Sequence, residues 1–176
     1  MTAPERRGQN GPRVTVVQDG ARLHYAVPLA LQEAGLLARV FAEGAVPPGS
    51  PEAVVGRLVG LVWPALGRRL DDRWRDGLDP RRVARNPALA VRLRLLRRRF
   101  PTEEEYWAAC SERVGEWVRE RGWGGATVLF GFVRNIDPGL CRAAQAAGLA
   151  TVGDQIIAPA AVEQAQFVKE LARWPG

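Results

Sequence analysis

Cysteine is nearly absent from this chain. Its two residues in 176, Cys110 and Cys141, are too few and too far apart for a disulfide scaffold or a metal knuckle, and a reducing cytoplasm is the expected setting. Histidine is scarcer still. His24 stands alone, so no catalytic pair of histidines can form, and no metal site is expected. A bilayer-spanning run is also missing, because the most apolar window, AVVGRLVGLVWPALG, is interrupted by Arg57 and Pro64. In the opening MTAPERRGQNGP, Arg6-Arg7 leads into no apolar stretch, so neither a secretory nor a twin-arginine signal is supported; residues 1–12 read as a disordered lead-in. The chain further lacks a G-x-G-x-x-G turn, a P-loop and a G-x-S-x-G elbow, which leaves dinucleotide binding, phosphoryl transfer and serine hydrolysis without a positive signal.

What is present is unevenly distributed. Between Arg68 and Arg99 stand twelve arginines against four aspartates, an excess larger than the +6 of the whole chain. The remainder is slightly acidic, so any attraction for polyanions belongs to that one segment. Within it VRLRLLRRRF sets Arg92, Arg94, Arg97, Arg98 and Arg99 on a helix with a wide basic face. One reading is a solvated face whose arginine stems lie over apolar surface. A second is a patch for anionic lipid head groups or a phosphate-bearing acceptor. Nucleic acid ranks third, since interleaved aromatics and a recognised motif are both missing.

The two ends of the chain alternate strand and helix. RVTVVQ, LARVFAE, ATVLFGF and LATVGDQI have the β-branched, apolar character of central parallel strands, and GLVW is a candidate for a fifth. AVPLALQEAG reads as a helix with Pro28 in its first turn and Gly35 at its C-terminal cap. Residues 51–122 form a helical insertion. Asn86-Pro87 opens one helix there, and Thr102 with Glu105 makes a capping box for the next, which carries Tyr106, Trp107, Cys110, Val114, Trp117 and Val118 on one stripe and Glu112, Glu116 and Glu120 on another. Asp137-Pro138 opens a helix, and PAAVEQAQFVKELARW is the last. Short connections between such elements imply an α/β fold, an open parallel sheet of four to five strands flanked by helices.

Ligands of such sheets bind outside the carboxyl ends of the strands, which selects three turns: Asp19 to Tyr25, Gly131 to Asn135, and Gly153 to Ala158. In the first, Gly20 allows close backbone approach, and Arg22, His24 and Tyr25 precede a helix N-terminus suited to an anion or to sugar hydroxyls. The second offers Gly131, Arg134 and Asn135, and the third Asp154 and Gln155. Plainer readings stand beside these: Gly20 can be present only for its positive φ, and Asp154 and Gln155 can simply satisfy loop amides. Asp137 is a cap, and Cys110 a core residue.

The stretch QDGARLHYAVPLALQEAGLLARVFAE resembles the opening of bacterial family 4 glycosyltransferases (group 1) of the GT-B fold, where a first strand and a glycine-containing turn lead into a helix of the type Y-A-V-P-x-x-L-x-x-A-G-L-L. AAQAAGLATVGDQIIAPAAVEQAQFVKELARWPG is similar to the end of the same N-terminal domain, roughly A-x-x-x-G-x-x-x-V-x-(D/E)-Q-x-x-A-P followed by a helix with a Glu and a Trp-Pro step. Both ends match in order, so the resemblance covers residues 13–176; the arginine-rich middle matches nothing in it. It implies a single Rossmann-like, acceptor-side domain over 13–176. The donor-binding C-terminal domain is absent from the chain and would begin where Trp174-Pro175-Gly176 ends it. Glu104, Glu112 and Glu120 satisfy the family's Glu-x7-Glu spacing, but they lie along the polar side of one helix of the first domain, whereas relatives carry that motif in the second.

The resemblance further implies an enzyme that moves a sugar, with retention, from a nucleotide-sugar donor to an acceptor. Asp19, Gly20, Arg22, Tyr25, Gly131, Arg134, Asn135, Asp154 and Gln155 are then expected to line the cleft. His24 would be a lone general base or a sugar-hydroxyl contact. The chain itself should need no cofactor, and the donor is expected only with a second domain. Expected partners are a sugar, lipid-linked or small-molecule acceptor, the missing domain or a partner chain, and the inner membrane face touched peripherally by Arg92, Arg94, Arg97, Arg98 and Arg99. Alone the chain should be inactive. Two alternatives make other demands. A stand-alone Rossmann-like binding or regulatory module would keep its second-domain face covered. A basic membrane- or polyanion-associated protein would bind through residues 68–99 with steep salt dependence. The transferase half requires an exposed face that awaits a second domain.

Overall fold

Five short apolar runs form the strands of this computed structural model, which describes residues 11–18, 20, 22–65, 68, 73–132, 136–155 and 160–173. They are β1 (Val14–Val17), β2 (Leu37–Phe41), β3 (Val83–Ala84), β4 (Val128–Phe132) and β5 (Ala150–Asp154). All neighbours are parallel, and the order across the sheet is β3-β2-β1-β4-β5. This is a Rossmann-like open sheet, whose chain order reverses direction on either side of β1. The lead-in before residue 11, Asp19, Arg134 and Asn135 lie outside the described residues.

Period-two alternation sends successive side chains to opposite faces, so the inner strands feed two cores. On one face Val17, Phe41 and Leu129 meet Tyr106, Cys110, Val114, Trp117 and Val118 of helix α4 (Glu103–Arg121) and Leu140 and Ala144 of α5 (Pro138–Ala146). On the other, Val14, Val16, Leu37 and Val40 meet Tyr25 and Leu78, with Leu31 of α1 (Ala26–Glu33) and Trp74 alongside. Helices on both sides are what a parallel sheet with no polar face requires.

The caps form as the sequence implies. Asn86 Oδ1 accepts from Leu89 N at 3.0 Å to open α3 (Pro87–Leu96), Thr102 Oγ1 from Glu105 N at 3.2 Å to open α4, and Asp137 Oδ1 from Gly139 N at 2.6 Å and Leu140 N at 3.0 Å to open α5. The other carboxylate oxygen of Asp137 is buried against Gly115, where a Cβ would overlap it, so α4 and α5 close on each other at a residue without a side chain.

GLVW is not a strand. It is the last turn of α2 (Pro51–Val62) with its cap Trp63, and the fifth strand is the two-residue β3. Ser50 accepts from Ala53 N at 3.2 Å and Pro51 starts the helix, so a run of either periodicity propagates as helix. The orientation of α2 is inverted. It turns Gly56 inward and leaves Val54, Val55, Leu58, Leu61, Val62 and Trp63 exposed, Leu61 by 81%. The far edge of the sheet is also bare: Val152 of β5 is 45% exposed, as are Phe167 (70%) and Val168 (62%) of α6 (Ala160–Arg173). No helix among the described residues is long and apolar enough to cross a membrane.

Candidate functional site

The turn after β1 is backbone-strained. Gly20 has φ +54°, and within the following 3-10 turn (Arg22–Tyr25) Leu23 and Tyr25 both adopt left-handed φ values, 50° and 58°. Non-glycine residues held there cost about 1–3 kcal/mol each and persist where surrounding packing over-determines them. Tyr25 shows what does so. Its ring is fully buried, and its hydroxyl donates to the Arg73 carbonyl oxygen at 3.3 Å. Burial, reinforced by the carboxylate of Glu43 and partly opposed by the guanidinium of Arg73, holds this phenol protonated far above its ordinary range. Tyr25 is thus the fixed base of the turn and is not available to a ligand.

Beside the turn, at the carboxyl ends of β1 and β2, a cavity of about 220 Å³ opens. Gly20 forms part of one wall and Glu43, just past β2, another; Arg73 closes a third side, and α3 and α4 complete it with Leu93, Arg94, Tyr106, Trp107 and Ser111. Glu43 is buried. Arg73 is held against Gly44: its Nη1 donates to the Gly44 carbonyl oxygen at 3.4 Å, and a Cβ on residue 44 would stand 2.7 Å from that nitrogen. Gln18, at the very end of β1 and 1% exposed, donates from Nε2 to the Gly20 carbonyl at 2.9 Å, while its Oε1 is buried without a hydrogen-bond partner. An orphaned amide oxygen at the carboxyl edge of a sheet is a position that a water or a ligand donor would satisfy.

The residues singled out from sequence fall in several places. Gly20 lines the cavity and Tyr25 underpins it. Arg22 and His24 share the 3-10 turn by their backbone, and their side chains lie outside the described residues, as do Asp19, Arg134 and Asn135 entirely. Gly131 is buried within β4 between Val17 and Gly153; a Cβ there would collide with the Ile136 side chain and stand 3.2 Å from the Val17 carbonyl, so close packing alone accounts for the glycine. Asp154 ends β5 opposite Phe132, and Gln155 beyond it is exposed. The carboxyl edge therefore carries Gly20, Gly131 and Asp154 in the spatial order of their strands.

The basic face divides among different surroundings. Arg94 lines the cavity. Arg92 and Arg99 border a separate groove of about 600 Å³ between α3 and α4, which they share with Arg113, Glu116 and Glu120. Arg97 pairs with Glu103 at 2.9 Å and lies over the Tyr106 ring, 5.3 Å from its centroid. Arg98 is exposed. Glu104, Glu112 and Glu120 are exposed along α4, in keeping with a solvated face. Among the described residues no group of three or more His, Cys, Asp or Glu could hold a metal ion.

Sequence reading did not single out Gln18, Glu43, Arg73 or Ser111 as site residues. Gln18 and Glu43 closed the strand-like runs RVTVVQ and LARVFAE, and a polar residue at the end of such a run was the available signal. Compared with family models, with curated proteins and with solved structures, the chain gives no match.

Proposed function

We propose that the chain is the acceptor-side half of a glycosyltransferase that moves a sugar from a nucleotide-sugar donor. One observation carries this reading, namely where the two resembling stretches fall. The first begins where β1 ends and supplies the strained turn whose Gly20 lines the cavity, α1 and β2. The second supplies β5 and α6, whose Val152, Phe167 and Val168 are left uncovered, as a face that meets a second domain would be. A stand-alone module would bury such a face, because apolar area costs about 25 cal/mol per Å² to leave in water.

In this reading the chain binds and orients the acceptor. Transfer breaks the bond from the sugar's anomeric carbon to the diphosphate and forms one to an acceptor oxygen, whose proton departs. Positioning the acceptor lowers the barrier by removing translational and rotational freedom beforehand, and the groups that stabilise the departing diphosphate belong to the second domain. The 176-residue chain alone is then inactive.

The test is the native gene product, isolated from its host, weighed intact and assayed with radiolabelled nucleotide sugars against a host extract. A mass about twice the 19.3 kDa of this chain, as a second domain of similar size requires, together with transfer by that product and none by the 176-residue chain, is the expected result. Transfer by the 176-residue chain, or no transfer by the native product with any donor, would overturn the reading.

A further inference from the structure

Twelve of the arginines crowd into residues 68–99, and the structure shows which of them are already committed. Arg82 pairs with Asp79, Arg85 with Glu52 and Arg97 with Glu103. Arg73 and Arg94 make no ion pair among the described residues, and both line the 220 Å³ cavity, facing the single carboxylate of Glu43. The described wall therefore carries one positive charge in excess. Arg73 is also fixed in place: Gly44 leaves room for its guanidinium, and the bond to the Gly44 carbonyl holds one corner of the fork, leaving its other nitrogens for a ligand.

The remaining wall is suited to a hydroxylated ring. Trp107 offers a half-buried aromatic surface beside Ser111, and Glu43 brings a carboxylate whose Oε2 can accept a hydrogen bond from a hydroxyl. Volume limits the guest. At roughly 30 Å³ per water, the cavity has room for about seven waters, well under the roughly 300–1,000 Å³ of sites that enclose drug-sized ligands. Its interior has room for one ring with a small substituent.

We infer that this cavity binds a monosaccharide-sized polyol bearing one anionic group, a phosphate or a carboxylate, whose charge meets Arg73 and Arg94 while its ring lies against Trp107. Resting on the acceptor-half reading, this names the acceptor class of that same site.

Calorimetric titration of the 176-residue chain with glucose 6-phosphate, glucuronate, glucose and inorganic phosphate tests it. At least one of the two charged sugars should bind about tenfold or more tightly than glucose, as one charge-assisted contact implies, and which of them does so identifies the anion. Arg94→Gln, a change at an exposed position whose fold is checked by circular dichroism, should abolish that preference. Equal binding of glucose, binding of inorganic phosphate as tight as that of the charged sugars, no binding of either charged sugar at millimolar concentration, or an unaltered preference in Arg94→Gln would each overturn the inference. No donor domain is needed for this measurement. Its failure leaves the transferase reading standing, and a chain that binds a sugar acid or phosphate while the native product transfers nothing separates the two the other way.

Discussion

Helices α2 and α4 are both rich in large apolar side chains and use them in opposite directions. α4 drives Tyr106, Cys110, Val114, Trp117 and Val118 into the sheet and turns Glu112, Glu116 and Glu120 to solvent. α2 turns Gly56 inward and gives its valines, leucines and Trp63 to solvent. Helix formation in both follows from good caps, Ser50 with Pro51 in one and Thr102 in the other, so capping decides that a helix forms and says nothing about where it points. The inward residues decide that. Large side chains on α4 interdigitate with Phe41 and Leu129, whereas a buried glycine on α2 makes no such claim on the core. Stability should therefore reside in α4, and whatever α2 contributes lies in its outer face.

Three substitutions would break or sharpen that contrast. The largest effect is expected from Trp117→Ala. Trp117 meets Phe41 edge to face with ring centroids 5.2 Å apart and is buried. Its loss should destabilise the fold by about 3–5 kcal/mol, read from urea unfolding followed by circular dichroism. Next comes Gly115→Ala, whose new methyl would overlap the Asp137 carboxylate and press on Leu140. Forcing α4 from α5 should cost about 1–3 kcal/mol in the same assay. The smallest effect belongs to Leu61→Ser on the exposed face of α2. Stability should stay within about 0.5 kcal/mol of the parent, while binding of a hydrophobic dye declines. Should Leu61→Ser destabilise as much as Trp117→Ala, α2 would be a packed helix and the contrast would vanish.

The legible parts of this fold are those set by local chemistry. β1, β2, β4 and β5 were apparent because short runs rich in β-branched and apolar residues identify a strand wherever it sits, and Gly35, Asn86, Thr102 and Asp137 announced helix ends through capping chemistry that operates within three or four residues. β3 was not legible: Val83–Ala84 is too short for any period and becomes a strand only by lying against Val40 and Phe41. Nor was the inverted face of α2, since its composition alone does not say which side meets the protein. The site divides in the same way. Gly20 was visible as a glycine between a strand and a helix, but Arg73 is recognisable as a cavity wall only once Gly44, 29 residues earlier, lies beneath it.

The central position of β1 has a consequence for synthesis. Its partner β2 follows within a few dozen residues, but its other partner, β4, is distant: the Arg13 amide bonds the Thr127 hydroxyl across 114 residues. At about 5–20 residues per second, that separation takes roughly 6–23 s to translate. Throughout the interval the most hydrophobic strand of the finished protein holds one neighbour and an open edge. A nascent chain stalled between Arg99 and the start of β4 has made the whole arginine-rich segment and still lacks the strand that would close its centre. The arginine-rich insertion thus sets a waiting time during which chaperone capture competes with misassembly.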